Sequence, residues 1–396
     1  MMIFSMDAPR AVSVAYSGSF SEPASRALAE DLRAKLGGDP SLTVVFASPS
    51  YAPYLTDLCE VLTIYGHAPL LVAVTGQGFL AEGAEFEAEE GFSVLGLRHP
   101  GMRTTPVALL PEELEAEEEP ATWHQKTGLG PGEVAGWLLL ANPNVLPAER
   151  LLRIWNRAYP GVPVWGGLAG GTREGETAVF LDRKPVEGGV AIALQGEVGF
   201  HVVVSQGCRP IGDPYTVTGA DRNILYTLGS GSAYQALANA FESLSERERE
   251  KAHGHIFVGL AVSEYRDEFH QGDFLVRNIL GADPSSGAVA VGALVRVGQT
   301  LQYQLRDPES AERSLRQLLQ TEKIEHFPTG KPLAALVSLC AGRGKGLFGV
   351  AGRDAGLIQE LFPRLPAAGF FASGEIGPVG NVNYLHGYSA SVLFLS

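Results

Sequence analysis

The apolar positions of this chain gather into short runs bounded by glycine, proline or charge, the pattern of strands covered on both faces. Between them lie stretches whose apolar residues recur three and four apart, the period of an amphipathic helix. One order of these elements repeats. It is clearest where Gly136–Ala141 predicts a strand, Pro147–Tyr159 a helix and Val162–Trp165 a second strand, followed by Gly166-Gly-Leu-Ala-Gly-Gly171 and a strand over Gly189–Leu194. The end of the chain has the same order: Leu333–Leu339, a helix near Asp354–Phe362, Ala367–Phe371, a glycine loop, and Ser389–Leu395. An earlier version reads Leu42–Phe46, a helix around Tyr54–Tyr65, Leu70–Val74, Thr75-Gly-Gln-Gly78 and Phe92–Leu97. A fainter fourth is His255–Ala261, Phe274–Asn278 and Ala288–Gly292.

The repetition predicts an α/β fold of two lobes, with mixed β-sheets and packed helices built from strand, helix, strand, glycine turn and strand. Any alternating α/β chain looks self-similar at this level, so true internal duplication is left open. Phe200–Val204 leads into Ser205-Gln-Gly-Cys-Arg-Pro-Ile-Gly-Asp-Pro214, where proline and glycine punctuate an extended segment. The lobe boundary is placed at about residue 198, giving lobes 42–198 and 199–395, with a strand and a helix in residues 1–41 packed on the first lobe. A helix is expected over Ser232–Leu244.

With 396 residues, 45% of them hydrophobic and 19% charged, the chain can bury a large core. A net charge of −14 argues against nucleic acid and anionic membrane as partners, because phosphates would be repelled. The acidic runs Glu112–Glu119 and Ser245–Glu250 read as solvated surface. Three scattered cysteines, Cys59, Cys208 and Cys340, make neither a disulfide framework nor a zinc-finger spacing and indicate a reducing compartment. The start, Met1–Arg10, has no basic head and apolar core, and no run is long enough to span a bilayer, so a soluble, cytoplasmic protein is expected.

Candidate chemistry concentrates near the end. Glycines crowd Ala368–Gly380 around one carboxylate, Glu375, with His386 shortly after; such density implies positive φ or close backbone approach. Cys340-Ala-Gly-Arg-Gly-Lys-Gly346 follows a strand and precedes a helix, where backbone amides can form an anion nest. It is not a P-loop, since Lys345 is followed by Gly346 rather than Ser or Thr. Arg343 could hold a carboxylate bidentately, or the segment could be a surface turn. Glu375 could grip an ammonium group or brace loop amides, and His386 could orient a ligand or be a satisfied core histidine. Cys340, His386 and Glu375 would supply nucleophile, base and orienting group if the protein were a hydrolase or transferase. Cys208, beside Arg209-Pro210, reads as a nucleophile or a small buried residue. His253-Gly-His255 lacks a third ligand, and no metal site is expected.

Taken together these segments resemble the FIST family of sensory domains. The resemblance runs from about Leu42 to Leu395 and rests on the glycine turn after Leu70–Val74, Pro100-Gly101, Trp123 and Pro160-Gly-Val-Pro-Val-Trp-Gly-Gly-Leu-Ala169. It continues in Gln206-Gly-Cys-Arg-Pro-Ile-Gly212, Val217-Thr218, Cys340–Gly344, Gly346-Leu-Phe-Gly349, Gly374–Gly380 and Leu385-His-Gly387. Family members often carry Gly-Cys where this chain has Val72-Ala73, which removes any role of that cysteine. The resemblance implies a small-ligand sensor, with amino acids or related anionic or zwitterionic metabolites as the ligand class. No output domain accompanies it, so a separate signalling protein is expected as partner. An exposed sheet edge would allow a homo-oligomer, though no sequence feature selects one. Some family members are haem-based gas sensors, which would make His386 an axial ligand, but nothing local specifies haem and no cofactor is expected. The expected ligand site is Arg209, Arg343, Gly344, Phe348, Gly374, Glu375, Gly377 and His386. In it Arg343 holds the negative end, Glu375 the positive end, Arg209 and His386 set orientation, and Phe348 and Phe371 form a wall.

Overall fold

The computed structural model describes residues 8–396 apart from 117, 118, 172, 174 and 267. Most of the Met1–Arg10 start and part of the Glu112–Glu119 run therefore lie outside the described residues. The chain forms two compact units. The first comprises the residues up to Val204, Arg316–Leu385 and Ser389–Ser396; the second comprises Ser205–Leu315 and His386–Tyr388. Near the lobe boundary expected at about residue 198 the chain thus passes into the second unit after Val204, and it returns to the first from Arg316.

The first unit is three copies of one topology. The first copy is β1 (Arg10–Ser17), α1 (Glu22–Leu36), β2 (Leu42–Ala47), α2 (Leu55–Tyr65), β3 (Leu71–Thr75), β4 (Gly78–Ala81), β5 (Ala84–Glu87) and β6 (Gly91–Arg98). The second is β7 (Met102–Leu109), α3 (Pro111–Ala116), α4 (Pro120–Thr127), β8 (Gly136–Ala141), α5 (Ala148–Ala158), β9 (Val164–Leu168), β10 (Val179–Leu181), β11 (Lys184–Pro185) and β12 (Gly189–Gly196). The third opens with β13 (Phe200–Gln206) and is then interrupted by the second unit.

That insertion contains β14 (Cys208–Pro210), β15 (Tyr215–Asp221), β16 (Ile224–Leu228), β17 (Gly231–Ser232), α6 (Ala233–Glu242) and α7 (Glu246–Ala252). It ends with β18 (Ile256–Ala261), β19 (Phe274–Arg277), β20 (Ile279–Asp283), β21 (Ala288–Val291) and β22 (Thr300–Arg306). The third copy resumes through α8 (Pro308–Glu325), β23 (Ala334–Cys340), α9 (Lys345–Phe348), α10 (Arg353–Leu361) and β24 (Ala367–Ala372). It closes with β25 (Glu375–Val379), β26 (Val382–His386) and β27 (Ser389–Leu395).

The three six-stranded sheets run β1-β6-β2-β3-β10-β11, β7-β12-β8-β9-β25-β26 and β13-β27-β23-β24-β4-β5. In each, one parallel pair (β2–β3, β8–β9, β23–β24) carries its connecting helix, as right-handed crossovers require. The hairpins are exchanged in a cycle: β4 pairs with β24, β10 with β3, and β25 with β9. Each copy therefore extends the sheet of another, which makes the copies interdependent.

Side chains alternate accordingly. Leu42, Val44 and Phe46 of β2 enter a core shared with Leu138, Leu140, Trp165, Leu336, Phe370 and Leu393 of the other sheets. Val45 and Ala47 instead pack under the helices with Leu32, Leu36, Leu58 and Leu62. Both faces being buried accounts for the unbroken apolar runs. Helix α1 shows the local signals at work: Ser21 caps its start, accepting from the Ala24 amide at 3.5 Å, and Gly37 ends it at φ 69°.

The second unit is different in kind. Its nine-stranded sheet runs β19-β18-β22-β15-β16-β21-β20, with β14 on β22 and β17 on β16, and its strand pairs are antiparallel. Ala233, Ala236 and Ala240 of α6 pack on it with Val217, Leu225, Val258 and Tyr303. The fourth sequence copy is thereby corrected: β18 and β19 pair antiparallel, and among the described residues no helix joins them. Short β-branched runs separated by glycine look alike whichever way the strands run. No described helix is long and apolar enough to cross a membrane.

Candidate functional site

The three glycine turns of the first unit meet one another. The Gln77 amide donates to the Phe371 carbonyl at 2.9 Å, Ser373 to Leu168 at 3.0 Å, and Gly170 to Thr75 at 2.9 Å, a cycle linking all three copies. A Cβ at Gly170 would lie 3.1 Å from the Gln77 nitrogen and 3.3 Å from the Ser373 hydroxyl. The close backbone approach read from the glycine density is thus met, here by the protein's own backbone.

Beside the third turn lies a buried polar cluster. Arg343 is 1% exposed, and its Nε and Nη2 donate to the two oxygens of Asp354 at 2.7 Å each. Its guanidinium carbon sits 5.5 Å from the Phe348 ring centre. Glu375 is fully buried, and its Oε2 accepts from the Ser389 amide at 3.1 Å and hydroxyl at 2.6 Å. The Cys340 thiol hydrogen-bonds the same carboxyl group. Burial pushes Glu375 up to about 8, against the opposing pull of Ser389 and Arg343. Arg343 Nη1 and Glu375 Oε1 have no hydrogen-bond partner. The structure places Cys340 and Arg343 close to Glu375, with Asp354 and Ser389 as partners that the sequence did not single out.

The remaining residues are placed as follows. The anion nest at Gly344, with φ 59°, faces Glu87: the Lys345 amide donates to its oxygens at 2.9 and 3.1 Å. A second carboxylate of the same hairpin, Glu85, accepts from Gly352 at 2.8 Å and Ala355 at 2.9 Å at the start of α10. Gly374 accepts from Leu168 through its carbonyl at 2.8 Å, and a Cβ at Gly377 would lie 2.4 Å from Val204 Cγ2. Phe371 is buried in β24. His386 is buried at the end of β26 and groups with the second unit, as does Arg209. Arg209 is ion-paired to Glu248 and, at 3.5 Å, to Asp307. Cys208 is buried against Phe257 and Val276.

Sequence reasoning missed a cavity of about 570 Å³ in the second unit. Tyr234, Leu237 and Phe241 of α6 form one wall, Ile256, Phe257 and Ile279 another, and Glu242, His253, Asn278 and Tyr388 supply polar groups. The Tyr388 hydroxyl donates to Asn278 Oδ1 at 2.6 Å, and its ring lies 4.1 Å from that of Phe257. Tyr388 has φ 60°, a left-handed backbone that a non-glycine residue rarely adopts. A signal was present: α6 carries small residues on one stripe and Tyr234, Leu237 and Phe241, spaced three and four apart, on another. The small stripe seats the helix on its sheet, leaving the large one to line a space.

Residues 41–230 match the FIST N domain and residues 233–378 the FIST C domain. The chain belongs to the FIST family. FIST domains are sensory, small-ligand-binding domains. The chain is also 36% identical over 368 residues to an uncharacterized protein of Mycobacterium tuberculosis, covering 90% of this chain and 91% of that protein. It is 37% identical over 373 residues to an uncharacterized protein of Mycobacterium bovis, covering 91% and 92%. The junction between the FIST N and FIST C matches falls inside the second unit, immediately before α6.

Proposed function

We propose that this FIST protein senses an amino acid or a related zwitterionic metabolite in the cavity of the second unit and passes its state to a separate protein. The observation that supports this is the cavity's make-up, an apolar aromatic floor with few polar groups at its rim. An ammonium group suits the exposed Glu242 carboxylate and the aromatic faces, a carboxylate suits His253 and the Asn278 amide, and the ligand's side chain suits Leu237, Phe241 and Ile279.

The route outward begins at Tyr388. This residue lines the cavity and directly precedes Ser389, whose amide and hydroxyl hold Glu375. A ligand seated against Tyr388 favours one position of that turn, so binding biases the hydrogen bonding at Glu375, a population shift rather than a new structure. The test is a thermal-shift and calorimetric screen of the whole protein against amino acids and their amines. A saturable rise in melting temperature for one class, abolished by Leu237→Trp, which fills the cavity, and retained in Glu375→Gln, is the expected result. A rise that survives Leu237→Trp, or no rise for any amino acid, would overturn the reading.

A further inference from the structure

Away from the glycine turns, the first unit holds a second group of side chains able to do chemistry. His201 lies on β13, and Glu322 and His326 lie one helical turn apart at the end of α8. One ligand atom from each of the three falls within 4.8 Å of the others. His201 Nδ1 is 3.7 Å from Glu322 Oε1, His326 Nε2 is 3.8 Å from Glu322 Oε2, and the two imidazole rings are 4.3 Å apart.

These distances exceed hydrogen-bonding range, so the three side chains do not satisfy one another. Glu322 is only 8% exposed, and its Oε1 has no hydrogen-bond partner. A buried carboxylate facing two imidazoles across such a gap is costly unless something of opposite charge sits between them.

We infer that His201, Glu322 and His326 form a binding site for a divalent transition-metal ion of the zinc class. Two imidazole nitrogens and one carboxylate oxygen are a donor set that zinc accepts with a position left open. Tetrahedral coordination at 2.0–2.1 Å puts ligand atoms about 3.3 Å apart, so the three groups need to close by up to about 1.5 Å, within the reach of side-chain rotation. The open position faces a cavity of about 420 Å³, lined also by Phe200, Gly161 and Asn381, where water or a small oxygen donor can complete the shell. Asn383 stiffens that wall: its side chain donates to Asn156 at 2.9 Å and to the Val162 carbonyl at 3.0 Å, and accepts from Val164 at 2.8 Å.

The test uses the full chain, freed of metal with a chelator and titrated with zinc by calorimetry, and separately with cobalt(II) followed by its visible spectrum. One equivalent is expected to bind, with a cobalt spectrum that shows nitrogen and oxygen ligands and no thiolate charge-transfer band, which sets the site apart from the three cysteines. His326→Ala, at a half-exposed position that leaves the core intact, is expected to weaken binding at least tenfold, and Glu322→Gln likewise. Absence of stoichiometric zinc binding, a thiolate band, or unchanged affinity in a folded His326→Ala protein would each overturn the assignment.

Discussion

In the first unit, three copies exchange hairpins around a shared core, and the glycine turns and buried charges hold the copies together. The second unit is one antiparallel sheet, where helix α6 packs its alanines down and turns Tyr234, Leu237 and Phe241 toward an open cavity. The same signals therefore carry different meanings in the two regions. Glycine and buried charge mark assembly in the first, whereas a second apolar stripe on a short helix lines an open cavity in the second. Family membership covers both, so the contrast between them comes from the geometry.

Buried charge gives the largest contrast. Asp354→Ala leaves Arg343, 1% exposed, without its bidentate partner, and is expected to cost about 3–5 kcal/mol in denaturant unfolding. The reverse change, Arg343→Ala, strands Asp354 in the same way, so it tests the fold before it tests any ligand. Arg209→Ala in the second unit removes half-exposed pairs to Glu248 and Asp307 and is expected to cost about 1 kcal/mol or less. Equal losses for Asp354→Ala and Arg209→Ala would erase the distinction between the units.

Glycine gives the next. A Cβ at Gly166 would lie 1.8 Å from the Leu139 carbonyl oxygen of the paired strand, and one at Gly369 lies 1.9 Å from that of Val337. Backbone cannot move aside as a side chain can, so Gly166→Ala is expected to cost about 3 kcal/mol, read as a lower melting temperature or loss of soluble protein. Gly281 in β20 has open space around its would-be Cβ, and Gly281→Ala is expected to stay within about 0.5 kcal/mol. A tolerated Gly166→Ala would mean that β8 and β9 are held less rigidly than their shared core implies.

The strand, helix, strand, glycine turn order was legible because both faces of β2, β8 and β23 are buried, which leaves apolar runs that stand out from the helices between them. The hairpin exchange was not legible. Register between β4 and β24 is set by contacts nearly 300 residues apart in sequence, of which the paired Phe79 and Phe370 carry no local trace. Cys340, Arg343 and Glu375 were legible singly, because each lies in or beside a glycine-rich turn that follows an apolar run. Their partners Asp354, Ser389 and Glu87 were not, since an isolated acid or serine reads the same on a surface as beneath one. The cavity was legible in principle from the spacing of Tyr234, Leu237 and Phe241, but a helix with two apolar stripes also suits a deeper core, and only the strands beside it decide between the two.

Proton binding gives the smallest effect, and the one that separates the units by sign. Burial raises the folded-state pKa of Glu375 to about 8, above the ordinary 4.5. The unfolded chain therefore ionises this group first, and stability falls as pH rises from the ordinary carboxylate range through about 8. Between about pH 6 and pH 8 the expected loss is roughly 2 kcal/mol. Glu375→Gln keeps an acceptor for Ser389 and removes the charge, so the variant should unfold with a flatter pH dependence and gain on the natural protein as pH rises. Asp283, at the exposed turn between β20 and β21, goes the other way: hydrogen bonds from Ser286 and Ser285 pull it to about 2. Its contribution is present above the ordinary 3.8 and fades as pH falls toward about 2, so Asp283→Asn should alter only the acid limb. If Glu375→Gln leaves the neutral-pH slope unchanged, the carboxyl group is already ionised in the folded protein. It would then be paired with Arg343 rather than held neutral beside Cys340, and the link from Tyr388 through Ser389 would act on a fixed charge instead of a movable proton.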